Sequence, residues 1–144
     1  MIRAVVDPSV LVSAFIGSAD AGPGRLVQAW RDRRFVLIVS PILLTELETV
    51  LSRPKFARWA SDERAAAYVA AFGARSEHQP DPDEQPPPVR DPADDYLVAL
   101  MRATEADFLV SLDNDLLDAE LEDIDIVDPA VFLGRVEQAG HSSH

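Results

Sequence analysis

The fold is decided by residues 1–17, which read MIRAVVDPSVLVSAFIG. Ile2 to Val6 form a short β-branched run of the kind that favours a buried strand. Asp7 and Pro8 end that run, and Pro8 suits the first turn of a helix that continues to about Gly17. The opening of the chain therefore predicts a strand followed directly by a helix.

The same alternation continues along the rest of the chain. Apolar runs predict strands at 35–39, 108–112 and 124–127, and amphipathic segments predict helices at 22–33, 40–53, 55–59, 61–74, 91–104 and from 129 onwards. Residues 75–90 contain five prolines and are predicted to be a loop, with room for an edge strand near 76–79. Continuous apolar strands between helices predict an α/β fold, a three-layer α/β/α sandwich with a mainly parallel sheet. We expect one domain over residues 1–138 and a disordered tail at 139–144.

Composition excludes several classes of site. The 144 residues include no cysteine, which rules out disulfides, thiolate zinc sites and thiol nucleophiles. No stretch approaches the roughly 18 apolar residues of a membrane span, so we expect a cytoplasmic protein without membrane contact. A glycine-rich phosphate loop is also absent, which argues against nucleotide-binding classes.

Charge is distributed unevenly along the chain. The net charge is −12, but residues 1–75 carry ten basic and seven acidic side chains, whereas residues 76–144 carry three basic and eighteen acidic ones. The basic side chains of the first half form two groups that could hold RNA phosphates. The first group is Arg25, Arg31, Arg33 and Arg34, and the second is Arg53, Lys55 and Arg58; all of these except Arg25 are predicted to contact RNA. Taken singly, either group also fits the solvated end of a helix.

Glu46 stands out among the acidic residues. On a helical wheel of about 100° per residue, it falls between Ile42 and Val50, inside the apolar stripe, while Glu48 falls on the opposite side. An acid that faces the core needs a cation or a salt bridge, because burying an unpaired carboxylate costs several kcal/mol. From this helix alone, a metal or catalytic role and a structural salt bridge to an arginine remain equal alternatives.

The other acidic residues of interest lie at the ends of predicted elements. Asp7 follows the first strand, where it also fits a helix N-cap. Asp113 and Asp115 follow the strand at 108–112, where a solvated turn is the common alternative. At the helix start near 91, Asp91 and Asp94 suit capping and the positive helix end, which leaves Asp95 beside small alanines.

The ordered set of these acids resembles the PIN domain nucleases, most closely the PIN-type toxins of bacterial toxin–antitoxin pairs. The resemblance rests on four segments that span nearly the whole chain. They are RAVVDPSVLVSA (3–14), SPILLTELETVLSRPKF (40–56), RDPADDYL (90–97) and ADFLVSLDNDLL (106–117).

This resemblance implies a PIN fold and RNA cleavage that depends on Mg²⁺ or Mn²⁺. It implies catalytic roles for Asp7, Glu46, Asp95 and Asp113, metal ligation by Asp7, Asp95, Asp113 and Asp115, and supporting roles for Ser9 and Asp94. An antitoxin partner and a homodimer are also compatible with it. The chain departs from the family in having Pro8 and then Ser9 after the first acid, where a hydroxyl residue and asparagine are usual. Because of that departure, the alternative to an active ribonuclease is a catalytically weak or inactive PIN-like module that binds RNA or protein.

Overall fold

A parallel sheet of five strands forms the centre of the computed structural model, which describes residues 1–59, 61–82 and 96–141. The strands are β1 (Arg3–Val6), β2 (Val36–Val39), β3 (Glu77–His78), β4 (Phe108–Val110) and β5 (Ile126–Val127). Their order is β3-β2-β1-β4-β5, and each neighbouring pair is parallel. The predicted α/β class and the parallel sheet are therefore confirmed.

Seven α-helices accompany this sheet in the described part of the chain. They are α1 (Pro8–Ile16), α2 (Gly22–Arg31), α3 (Pro41–Leu51), α4 (Asp62–Arg75), α5 (Tyr96–Thr104), α6 (Asn114–Leu117) and α7 (Pro129–His141). A 3-10 turn at Pro54–Phe56 links α3 to α4. No helix of the described residues is long and apolar enough to cross a membrane.

The order of the strands reverses at β1. The chain moves outward from β1 to β2 and β3, then returns to place β4 on the other side of β1. Because parallel crossovers are right-handed, the connections on the two sides of β1 run over opposite faces of the sheet. The central strands are buried accordingly, and Val5, Ile38 and Leu109 have no exposed surface.

Helix α2 ends two residues before the predicted end at residue 33. Arg33 has a φ of 59°, the left-handed conformation that usually favours glycine after a helix. Its N–H donates to the carbonyl of Trp30 at 3.0 Å, and the N–H of Arg34 donates to Ala29 at 3.0 Å. This pair of bonds is a Schellman motif, so local capping ends the helix even though no glycine marks the position.

Other boundaries also differ from the prediction. Strands β4 and β5 are two residues shorter than expected, and the segment at 55–59 forms a 3-10 turn rather than an α-helix. Helix α6 was not predicted, because four residues are too few for a hydrophobic period. The predicted helix start at 91 lies outside the described residues. Helix α7 extends three residues beyond 138, and the predicted domain end and tail stay predictions.

Candidate active site

Two of the predicted acids lie at the point where the strand order reverses. Asp7 directly follows β1, and Asp113 lies three residues after β4, the neighbouring parallel strand. Parallel α/β sheets bind ligands at the carboxyl ends of their strands, at such a reversal. The topology therefore brings these two residues to the edge where a site is expected.

Asp7 is fixed by three hydrogen bonds. Its backbone N–H donates to Val110 at 2.8 Å, which joins the ends of β1 and β4. Its Oδ1 accepts from the N–H of Ser9 at 3.0 Å, and its Oδ2 accepts from the hydroxyl of Ser111 at 2.8 Å. The residue is 9% exposed. Asp7 is thus both the N-cap of α1 and a buried carboxylate.

Ser111 connects the two acids, and the sequence reasoning missed it. This fully buried residue donates its hydroxyl proton to Asp7 and accepts a hydrogen bond from the N–H of Asp113 at 3.0 Å. The result is a continuous hydrogen-bonded link from the loop after β4 to the end of β1. The available signal in the sequence was a serine at the end of an apolar strand, two positions before an acid.

Asp113 and Asp115 lie on the exposed side of this link. Asp113 caps α6, since its Oδ1 accepts from the N–H of Asp115 at 2.9 Å. Both carboxylates are exposed, and Asp113 has a second oxygen that accepts no hydrogen bond from the described residues. The turn that was the alternative for this pair is present, and it follows β4 at the strand-end edge.

Glu46 is exposed, so the predicted burial of its side chain is wrong. The buried side chains of α3 are Leu43, Leu47 and Leu51, which centre the stripe near Leu47. On a wheel of about 100° per residue, Glu46 and Glu48 each lie about 100° from that centre, on its two sides. Ile42 and Val50 are only half-buried, and counting them as core shifts the apparent stripe toward Glu46. The catalytic role of Glu46 stays a prediction.

Asp94 and Asp95 lie outside the described residues, so their predicted roles stay predictions. Within the described ranges, no three Asp, Glu or His side chains form a group that could hold a metal ion. The oxygen-bearing groups at this edge are the carboxylates of Asp7 and Asp113 and the hydroxyl of Ser111. That chemistry fits a hard divalent cation such as Mg²⁺ or Mn²⁺.

Pro8 leaves the capping of Asp7 intact. It occupies the first position of α1, where a backbone N–H has no partner within the helix. The N–H of the next residue, Ser9, makes the capping bond to Asp7 instead. Ser9 therefore supports the carboxylate through its backbone, while its side chain is exposed.

Asp81 is a further carboxylate at this edge that the sequence analysis did not select. It lies after β3, and its Oδ2 accepts from the N–H of Ile42 at 2.9 Å. Ser40 caps the same helix end by accepting from the N–H of Leu43. These two contacts fix the start of α3, the helix that carries Glu46.

The two basic groups lie in different places. Arg34 lines a hollow with Met1 and Phe108, and Arg33 lines another with Met1 and Val36, both at the amino ends of the strands. Four residues of strand separate this edge from the carboxylates by about 13 Å. The second group, at 53–58, lies exposed between α3 and α4. The structure thus does not bring the first group to the acids, and RNA contact by either group stays a prediction.

Comparison with known proteins agrees with this architecture. The family described as PIN domain matches residues 3–115. PAE2754 from Pyrobaculum aerophilum is a similar solved structure, with 19% identity, a TM-score of 0.59, and coverage of 95% of this chain and 90% of that one. VapBC2 from Rickettsia felis, solved bound to a DNA fragment from its promoter, has 14% identity, a TM-score of 0.59, and coverage of 88% and 98%. A search of curated proteins found no match. The family match covers most of the chain, and the protein belongs to the PIN domain family.

Proposed function

We propose that the protein is a metal-dependent endoribonuclease that hydrolyses RNA phosphodiester bonds, acting as the toxin of a toxin–antitoxin pair. PIN domains are generally nucleases, which supports the reaction class. The observation that carries the proposal is the buried carboxylate of Asp7, linked through Ser111 to Asp113 where the strand order reverses. No Lys or Arg of the described residues lies within ion-pair distance of Asp7.

A buried carboxylate without a cationic partner is costly. The α1 N-terminus and two neutral donors surround the carboxylate of Asp7. A bound cation would offset that cost. Asp7, Asp113 and Asp115, with Asp95 from outside the described residues, are the side chains that would hold Mg²⁺ or Mn²⁺. When bound, such an ion supplies an activated water and stabilises charge on the departing oxygen.

The residues of the chain have separate tasks in this reaction. Ser111 and the N–H of Ser9 orient the two oxygens of Asp7, so that the carboxylate keeps one direction relative to β4. Asp113 presents its free oxygen to solvent, where substrate phosphate arrives. Glu46, exposed in the second turn of α3, would contact the attacking water or the substrate from a third element.

The RNA would approach over the second basic group. Arg53, Lys55 and Arg58 are exposed, and within the described ranges no carboxylate pairs with them. Their charges are therefore available to phosphates. Contact with Arg31, Arg33 and Arg34 requires RNA that continues around the sheet to its other edge.

The toxin assignment is supported by the likeness to VapBC2, whose fold this chain shares. An antitoxin would be the protein partner, and a homodimer is the assembly we propose. Co-purification with the product of an adjacent small gene tests for the antitoxin partner. Sedimentation of the isolated protein tests for the homodimer.

Cleavage of mixed single-stranded RNA tests the proposal. Activity should disappear in EDTA and return with Mn²⁺ or Mg²⁺ but not with Ca²⁺, whose looser geometry and weaker acidity serve water activation poorly. Cleavage that persists in EDTA would contradict the metal mechanism. Absence of cleavage with every ion, despite RNA binding, would favour the inactive binding module.

A further inference from the structure

The turn formed by residues 53–59, RPKFARW, carries an exposed tryptophan among basic side chains. Trp59 is 39% exposed and is the one aromatic residue among the exposed large apolar side chains of the described ranges. Arg58 places its guanidinium 5.1 Å from the centroid of the Trp59 ring. An exposed tryptophan among basic side chains is a surface on which a nucleic-acid base could stack.

The turn is anchored, so Trp59 is presented in a defined position. Phe56 is buried in the core, and the 3-10 turn at Pro54–Phe56 fixes the backbone around it. Arg64 donates to the carbonyl of Trp59 at 3.3 Å and places its guanidinium 5.6 Å from the ring centroid of Phe15. The backbone of Trp59 is thereby tied to α1 and α4.

This position and the carboxylate edge lie at opposite ends of α1. Helix α1 begins after Asp7 and carries Phe15 near its other end, about 12 Å further along the axis. Arg64 bridges Phe15 to Trp59. A few nucleotides of extended single strand can span such a distance.

We propose that Trp59 is a stacking platform for an unpaired RNA base, with Arg53, Lys55 and Arg58 holding the flanking phosphates. Proteins that bind single strands combine a basic surface with aromatic rings on which bases stack, because every base has a π-face. The proposal rests on the proposed ribonuclease function and names where its substrate is held. It predicts a preference for single-stranded over paired RNA, since bases within a duplex cannot stack on a side chain.

Binding of short fluorescent RNA, measured by anisotropy in EDTA, tests the platform without cleavage. Trp59→Leu keeps apolar bulk but removes the π-face, and should weaken single-strand binding about tenfold. Trp59→Phe should recover most of the affinity. Val131→Ala is the matched control, because Val131 is exposed to a similar degree on α7 and should have no effect. Circular dichroism confirms that each variant is folded.

Two further readouts separate stacking from charge. Duplex RNA should bind wild type and Trp59→Leu equally. Trp59→Leu should also leave the salt dependence of single-strand binding unchanged, whereas Arg58→Gln should reduce the slope by about 0.7. Equal single-strand affinity of Trp59→Leu and wild type would overturn the proposal and leave the surface to a protein partner.

Intrinsic fluorescence gives an independent check. The chain has two tryptophans, and Trp30 is buried beside Phe72. Single-stranded RNA should quench wild type but not Trp59→Phe. Equal quenching of both would contradict the platform. If wild type fails to cleave RNA but these results hold, the proposed nuclease function fails and the binding site remains.

Discussion

Replacing Ser111 with alanine tests the link between the two acids. The variant removes the hydroxyl that donates to Asp7 and accepts from the N–H of Asp113. A hydrogen bond to a charged group contributes about 1.5–3 kcal/mol, and a neutral one about 0.5–1.5 kcal/mol. The free energy of unfolding should therefore fall by about 2–4 kcal/mol, since Ser111 is fully buried and water cannot replace the lost partner.

Ser40 supplies the matched control. It is also fully buried and also follows a parallel strand, but its hydroxyl caps α3 and contacts neither acid. Ser40→Ala should cost about 1 kcal/mol, the usual cost of a lost N-cap. The two variants thus share their burial and chemistry and differ in the contact with Asp7.

Urea unfolding and single-turnover RNA cleavage provide the comparison. At a temperature where both variants are folded, Ser111→Ala should cleave at least about tenfold more slowly and need more Mn²⁺ for half-maximal activity, as supporting residues of metal sites generally do. Ser40→Ala should keep the wild-type Mn²⁺ requirement. Equal stability losses and equal Mn²⁺ requirements in the two variants would refute the positioning role of Ser111.

Three further substitutions have defined outcomes. Arg33→Gly should raise the free energy of unfolding by about 1 kcal/mol in thermal melts, because Arg33 has a positive φ that glycine adopts freely, while Arg33→Ala should bring no such gain. Arg3 donates from Nε to Glu77 at 3.1 Å, and this contact holds the pKa of Glu77 below its usual range. Glu77→Gln should therefore lower the free energy of unfolding by about 1 kcal/mol at neutral pH. This difference from wild type should be lost as the pH falls below about 4.3 and through the lowered pKa of Glu77. A difference that does not change with pH would exclude this linkage. Glu46→Gln should change stability by less than about 0.5 kcal/mol, because the side chain is exposed, yet abolish cleavage; a strongly destabilised variant would restore a structural role.

The sequence allowed the sheet and the order of its elements to be predicted, because strands buried on both faces are continuous apolar runs. The helix N-caps could also be predicted, because a capping residue followed by proline occurs at Ser40–Pro41 and at Asp7–Pro8. Boundaries set by hydrogen bonds without a composition signal, such as the Schellman end at Arg33, were not predictable.

The site was predicted less completely than the fold. Asp7 and Asp113 could be placed because strand ends converge in a parallel sheet. The predicted burial of the Glu46 side chain was wrong, because a helical wheel shows the pattern of one helix and not which neighbouring elements cover that helix. Ser111 was missed, since its importance depends on contacts between two strands far apart in sequence.

RNA cleavage by Asp7→Asn tests whether the carboxylate of Asp7 is essential for catalysis. Asparagine preserves the N-cap of α1, so the variant should remain folded while losing the charge at the strand-end edge. Asp125→Asn is the control, because Asp125 is an exposed acid immediately before β5, at the opposite edge of the sheet. In Mn²⁺, Asp7→Asn should slow single-turnover cleavage by at least about a hundredfold, and Asp125→Asn should cleave as wild type does. Wild-type cleavage by folded Asp7→Asn would contradict a catalytic centre built on Asp7.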